Sequence, residues 1–466
     1  MERFSSGKDS FSGQMCFGYT RQIMCMMLCF FMPLCFMGCH NDDAPEINEK
    51  DITLLNLKIE GSDGFSVSGE VNWFTFGSYD ELISVEHYAS METLQQTFNP
   101  TDPGYYTYVA VMNAGNEFAL EKTRENGIAT LEDLFERINV IKGHYPDMNS
   151  GLVRVGLEEG RIVETTIKIQ KGMMQLPGLC LNLIIPRPIS EEFSEIKNMT
   201  RASKSESSLR YIVEVYESKN NSCIQHRSFH GSPNDVSSMG SLNLQYLTPG
   251  CYDVLIWADY SEDNNDVYYQ TSSLKSVNLD TEVGSIVGTA KRKAYFAHFT
   301  DNLEQPELIT KEITMNHPFA CYQILSTDIQ RYEEIKRSNN YPEIEDVEAT
   351  IIYNGYFPSA FNVWSGLPND AIVGHTLKGD IVPTPDGEII VTNDYVFVGD
   401  SRSSISVDII LTDKKTGKAF SALKDIKINY KRGYRTIICG NFLTAGINSG
   451  NLQIEENWDG EYDIEF

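Results

Sequence analysis

Leu242-Asn243-Leu244-Gln245-Tyr246-Leu247-Thr248-Pro249-Gly250-Cys251-Tyr252-Asp253-Val254-Leu255-Ile256-Trp257-Ala258-Asp259-Tyr260 is the stretch on which the reading of the fold turns. Leu242, Leu244 and Tyr246 alternate with smaller or polar residues, the period of a half-buried strand. Thr248-Pro249-Gly250 interrupts, because proline fixes φ and glycine admits φ > 0. Val254 to Trp257 is then a continuous apolar run ending at Asp259, which suits a central sandwich strand. The same phrase occurs earlier, from Pro103-Gly104-Tyr105 through Val109-Ala110-Val111 to Asn113. Each copy reads Pro-Gly-x-Tyr, an apolar strand, then Asp or Asn. The expectation is a repeated strand–turn–strand hairpin at the core of a mainly β protein.

Working outward, 466 residues suggest about three domains. An apolar fraction of 41% with 11% aromatics is enough for several cores. The formal charge of −27 speaks against a nucleic-acid partner, since phosphates would be repelled. Lys291-Arg292-Lys293 is a lone basic triplet and reads as an exposed loop. Cys180, Cys223, Cys251, Cys321 and Cys439 are scattered singly, without CxxC or histidine spacing, and read as small buried hydrophobes.

Ile23 to Gly38 is an apolar, proline-interrupted run behind Arg21, too short for a comfortable membrane span and suited to a secretory signal peptide (1–38). Phe36-Met37-Gly38-Cys39 resembles the lipobox of bacterial lipoproteins, which makes Cys39 the lipidation residue; Phe36 departs from the usual aliphatic. Residues 39–53 open with acidic His40-Asn41-Asp42-Asp43 and have the composition of a tether. They resemble the signal that sends Bacteroidota lipoproteins to the outer face of the outer membrane. Loss of residues 1–38 removes three basic and two acidic residues and leaves a charge of −28. A lipid tail would then be the only membrane contact of an acidic body.

The chain divides into an N-terminal β-sandwich (54–188), a polar linker (189–208), a second β-sandwich (209–305) and a C-terminal β-sandwich (306–466). Strands are expected at Tyr105–Met112, Arg161–Ile169, Gly178–Ile185, Tyr211–Tyr216, Asp346–Asn354, Ser404–Leu411, Asp425–Tyr430 and, as the last, Arg435–Thr444. A helix is expected from Thr130 to Ile141, where Leu131, Leu134, Phe135 and Ile138 share a face. Thr412 to Gly417 reads as a hairpin turn.

Nucleotide-binding, serine-hydrolase and zinc-protease motifs are absent. His226 and His230 stand four apart, but on a strand that spacing does not converge on a metal. Ser261 to Asp266 offers oxygens without the spacing of a calcium loop. No catalytic residue, cofactor or metal is implied.

Four phrases carry a family resemblance. They are Leu209-Arg210-Tyr211-Ile212-Val213-Glu214-Val215-Tyr216, Pro249-Gly250 through Tyr260, His317-Pro318-Phe319-Ala320, and Lys431-Arg432-Gly433-Tyr434 through Thr444. In this order they resemble fimbrillin-like (type V pilus-related) lipoproteins of Bacteroidota. The resemblance implies tandem transthyretin-like or immunoglobulin-like β-sandwiches with a few short helices. It also implies a non-enzymatic, surface-exposed lipoprotein that anchors or assembles a fimbria-like structure and contributes to cell adhesion. Its partners would be pilin-type subunits joined by strand addition. Stalk subunits of that family lose a first strand to an arginine-directed protease. Arg187 and Arg201 lie in a suitable linker, but a cut there would remove a whole domain together with the lipid, so an uncleaved linker is expected, which favours an anchor or accessory subunit that keeps its lipid. The alternative is a glycan- or host-ligand-binding lipoprotein presenting Trp257, Tyr260, Tyr268 or Tyr269.

Overall fold

The computed structural model falls into two units, residues 1–48 and 49–466. It describes residues 53–62, 67–90, 94, 102–171, 174, 176–185, 208–230, 240–261, 265–281, 292–399, 402–446 and 458–465. The signal peptide, Cys39, Arg187 and Arg201 lie outside the described residues.

The N-terminal domain is built from β1 (Leu54–Gly61), β2 (Val71–Phe76), β3 (Leu82–Tyr88), β4 (Gly104–Met112), β5 (Asn149–Leu157) and β6 (Ile162–Lys171), with α1 (Leu120–Glu125) and α2 (Leu131–Ile141) between β4 and β5. The sheet order is β1-β6-β5-β4-β2-β3. Thr130 opens α2 with a reciprocal cap: its hydroxyl accepts from the Asp133 N–H at 3.2 Å, and the Asp133 carboxylate accepts from the Thr130 N–H at 2.8 Å. Leu131, Leu134 and Ile138 of α2 cover Phe74, Phe76, Val109 and Val111 on one face of the sheet. Strands β5 and β6 join at a single residue pair, and β6 folds across the other face. A side chain on Gly151 would come within 2.7 Å of Ile167.

Next come β7 (Gly178–Ile184), β8 (Ser208–Glu217), β9 (Ser222–His230), β10 (Gly240–Leu244), β11 (Gly250–Ser261), β12 (Tyr269–Gln270), β13 (Val277–Leu279), β14 (Ala294–Leu303) and β15 (Leu308–Thr314). Two sheets, β10-β7-β15 and β14-β11-β8-β9, enclose one core. The strand Gly178–Ile184, grouped by sequence with the N-terminal region, is the central strand of the first of these sheets.

The remaining strands are β16 (Phe319–Ser326), β17 (Val347–Asn354), β18 (Tyr356–Asn362), β19 (Leu367–Val373), β20 (Thr376–Asp380), β21 (Val382–Pro383), β22 (Ile389–Phe397), β23 (Ser403–Asp413), β24 (Ala419–Tyr430), β25 (Tyr434–Gly440) and β26 (Trp458–Glu465), with α3 (Ile329–Asn339) before β17. Sheets β21-β22-β16-β25-β26 and β20-β17-β23-β24 pack over the largest core. The sheet β12-β13-β18-β19 lies over β14-β11-β8-β9 on the side away from β7, with Trp257 against Phe361 at 6.3 Å and Phe296 against Phe361 at 4.8 Å. The fold is therefore mainly β, in stacked sandwiches with few helices.

Several expectations change. The stretch from Leu242 to Tyr260 is not a hairpin: β10 and β11 belong to facing sheets, and residues 245–249 cross between them. Tyr246 is left-handed at φ 58°, and the Leu247 N–H turns away to the Pro177 carbonyl at 3.1 Å. Val254 to Ala258 is continuously apolar because both faces of β11 are covered, Val254 and Ile256 by the β7 sheet, Leu255 and Trp257 by the C-terminal core. The strand expected to run to Thr444 ends at Gly440, and a further strand, β26, pairs with it. Arg292 is not in an exposed loop. It is 2% exposed and ion-paired with Asp394, whose other oxygen accepts from the Tyr353 hydroxyl at 2.6 Å. The Thr412–Gly417 turn is observed, with Gly417 at φ 70°.

Candidate functional site

The distinctive arrangement is the place of β7. Leu179, Leu181 and Leu183 point into the core, while Cys180 and Asn182 face outward and are half-buried. On one side β7 pairs antiparallel with β10, Leu181 opposite Leu242 and Leu179 opposite Leu244. On the other it pairs parallel with β15, Leu179 opposite Ile309 and Leu183 opposite Ile313. Beneath it lie Val213, Val215, Val254, Ile256 and Tyr295 of the facing sheet. Burying each of the three leucines contributes about 1.5–3 kcal/mol, on the order of 5–9 kcal/mol together. Without β7, the inner edges of β10 and β15 would flank an apolar slot one strand wide.

The chain enters and leaves β7 very differently. Residues 172–177 tie it directly to β6 of the N-terminal domain, whereas residues 186–207 separate it from β8. A break in the second segment would thus divide the chain so that β7 goes with the N-terminal domain. A cut there would remove a strand of the second sandwich as well as a domain. Sequence reading missed this because the alternation in Gly178–Ile184 shows which side chains point inward but not which sheet receives them.

A second group of residues joins the N-terminal domain to this sandwich. Arg154 of β5, 5% exposed, reaches Asp80 at 2.8 Å, the Thr107 hydroxyl at 2.7 Å and the backbone carbonyls of Gln245 and Tyr246 at 3.2 and 3.3 Å. The second oxygen of Asp80 meets Arg227 of β9 at 3.2 Å. Phe135 of α2 stacks on Tyr246 at 4.5 Å, and Tyr105 stacks on His226 at 5.8 Å. Asp80, Arg154 and Arg227 carried no signal in the sequence, whereas Phe135 and Tyr246 were read only as apolar positions of a helix and a strand, Tyr105 in its Pro-Gly phrase and His226 only for its spacing from His230.

Of the residues weighed for chemistry, His226 and Asp266 are held by neighbouring side chains, while residues 262–264 lie outside the described residues. His226 pairs through Nδ1 with the buried Glu214 at 3.0 Å, and His230 ends the same strand. Asp266 accepts from Arg210 at 2.9 Å and from the Thr271 N–H, as part of a network in which Arg210 grips Asp259 at 2.9 and 2.8 Å. Among the described residues no three histidine, cysteine or carboxylate groups gather as metal ligands. Trp257 and Tyr269 are buried, and the Trp257 indole N–H donates to Asp259 at 3.2 Å, so these two rings are packed inside and not presented to a ligand. Tyr260 and Tyr268 are only partly exposed. The five later cysteines are thiols. Burial pushes Cys223 and Cys321 up to about 12, which leaves both protonated and poorly nucleophilic at neutral pH. Cys251, by contrast, is exposed.

The family phrases map onto staples of the fold. Arg432 donates to the Val398 carbonyl at 2.9 Å and to that of Gly366, and lies over Phe296 at 5.2 Å. His317 packs on Tyr295 at 5.0 Å, and Phe319 on Phe397 at 5.1 Å. Among the described residues no helix is long and apolar enough to cross a membrane.

No protein of curated function matches the chain. Among solved structures, it is similar to the fimbrial anchor protein Mfa2 from Porphyromonas gingivalis, at 10% identity over 62% of this chain and 98% of that one, with a TM-score of 0.34. It is also similar to a fimbrial assembly protein from Parabacteroides distasonis ATCC 8503, at 14% identity over 56% of this chain and 90% of that one, with a TM-score of 0.29. The sequence model of a family of unknown function, DUF6562, matches residues 181–466, from within β7 to the C-terminus. With more than half of its length matched, the chain belongs to the DUF6562 family.

Proposed function

We propose that this protein is a non-catalytic, surface-exposed lipoprotein of fimbrillin-like type. In this reading a lipid on Cys39 holds it in the outer membrane, facing outward. It anchors or assembles a fimbria-like structure and so contributes to cell adhesion. The observation that carries the reading is the position of β7 between β10 and β15. A central strand joined to the rest of its sandwich through one long connection becomes replaceable if that connection is cut, and a pilin-type partner would then supply its equivalent by main-chain pairing. While residues 186–207 are intact, the sandwich fills its own slot. That state suits an anchor or accessory subunit better than a polymerising one.

The test is strand capture. The chain is cut within residues 189–208, the two parts are separated, and a labelled peptide carrying residues 178–184 is offered to the C-terminal part and to the uncut chain. Uptake by the cut form alone is expected. Equal uptake by both forms, or none by either, would remove the slot from the mechanism. In cells, cross-linking of outer membranes should recover a pilin-type subunit with this chain, and labelling with a fatty-acid analogue should be lost in Cys39→Ala.

A further inference from the structure

We infer that the N-terminal domain is a latch on the β7 slot: it keeps the strand seated after the connecting segment is cut, and sets the rate at which the slot opens. This rests on the strand-slot reading above and adds to it what controls access. Three features of the geometry carry the inference.

First, β7 follows β6 after only residues 172–177, and Met174 within that connection is buried in the N-terminal core while its N–H donates to Ser150 Oγ at 3.2 Å. The Pro177 carbonyl and the Gly178 N–H are in turn bonded to Leu247 and Glu307 of the sandwich, each at 3.1 Å. Six residues span at most about 20 Å when fully extended. The strand therefore cannot move far from its slot unless the N-terminal domain moves with it.

Second, that domain is fastened to the same sandwich at a separate place. Asp80 takes Arg154 from its own domain at 2.8 Å and Arg227 of β9 at 3.2 Å. Arg154 also holds the crossing between β10 and β11 through two backbone carbonyls. The crossing leads directly out of β10, one wall of the slot.

Third, the fit along β9 is close. A methyl group on Gly156 of β5 would come within 2.3 Å of the Cys223 carbonyl oxygen and 3.1 Å of the Tyr105 ring. Strands β4 and β5 thus shield the outer side of β9, and a partner strand is directed to the slot and away from that edge.

The experiment uses the full chain with a site-specific protease sequence placed between residues 189 and 208. After cutting, the expected result is that the two parts still elute together at the mass of the uncut chain. Release is followed as exchange against labelled N-terminal part. Asp80→Ala should speed it at least about tenfold, since removing one member of a desolvated charge pair acts on the off-rate. Gly156→Ala, which leaves every charge in place, should do the same by steric means, and it guards against misfolding of the first variant. Immediate separation of the unmodified cut chain would overturn the latch, as would exchange rates unchanged in both variants. Capture of the 178–184 peptide by the separated C-terminal part reads the slot independently. If release follows the latch variants but no peptide is captured, the latch stands and the joining function falls.

Discussion

Asp80 Oδ2 lies 3.2 Å from Arg227 Nη1, a single carboxylate linking a turn of the N-terminal domain to the edge strand β9 of the neighbouring sandwich. Its other oxygen is held by the buried Arg154, so three charges from two domains share one site. Breaking a buried pair by removing one partner typically costs about 3–5 kcal/mol, and Asp80 keeps some solvent contact, so the lower end applies. Asp80→Ala should lower the stability of the full chain by roughly 2–3 kcal/mol, read as a shift of the urea midpoint. Arg161→Ala, whose partner Glu158 is 69% exposed, should leave the midpoint nearly unchanged.

Inward and outward positions of β7 should separate cleanly. Leu181→Ala leaves a cavity between two sheets at a fully buried position and should destabilise by about 2–5 kcal/mol. Cys180→Ser, on the outward face of the same strand, should stay within about 0.5 kcal/mol. Equal effects in denaturant titrations would contradict the register of β7.

Acid should weaken the fold through His317. Burial pulls its imidazole down from 6.5 to about 4, so the native state holds the neutral ring while the unfolded chain takes up the proton between those values. The stabilisation is complete above pH 6.5 and falls as pH drops through this window. By pH 5 the loss is roughly 2 kcal/mol. Burial lowers His375 in the same direction. Stability measured from pH 7 to 5 should fall, and His317→Gln should flatten much of the slope.

In the C-terminal core, Arg292 and Asp394 are 2% and 3% exposed. Arg292→Met alone strands a buried carboxylate and should cost about 3–5 kcal/mol. Adding Asp394→Leu should recover only part of it. Tyr353 would lose the acceptor it now holds at 2.6 Å, although its hydroxyl still meets that of Tyr322. A thermal-unfolding double-mutant cycle measures the coupling.

Local order was legible wherever a period and a terminator coincided. The helix Leu131–Ile141 followed from its apolar face and the Thr130 cap, and the strands after Pro103-Gly104 and Pro249-Gly250 from apolar runs behind a fixed turn. Arg292 was misplaced because a basic triplet looks alike whether solvated or paired, and its partner Asp394 lies far along the chain. The ion pairs of the candidate latch were invisible for the same reason: Asp80, Arg154 and Arg227 carry no local pattern.

The amino-acid sequence by itself determined that this is a chain of short β-strands with a formal net charge of −27. Composition, period 2 and turn residues act over a few neighbours and need no tertiary partner to be read. Only the tertiary structure decided that Leu242–Leu244 and Gly250–Ser261 face each other across a core, and that Gly178–Ile184 is the strand between β10 and β15. Sheet pairing joins backbone groups that are identical at every residue. The choice among partners is made by which apolar faces fill one another in space.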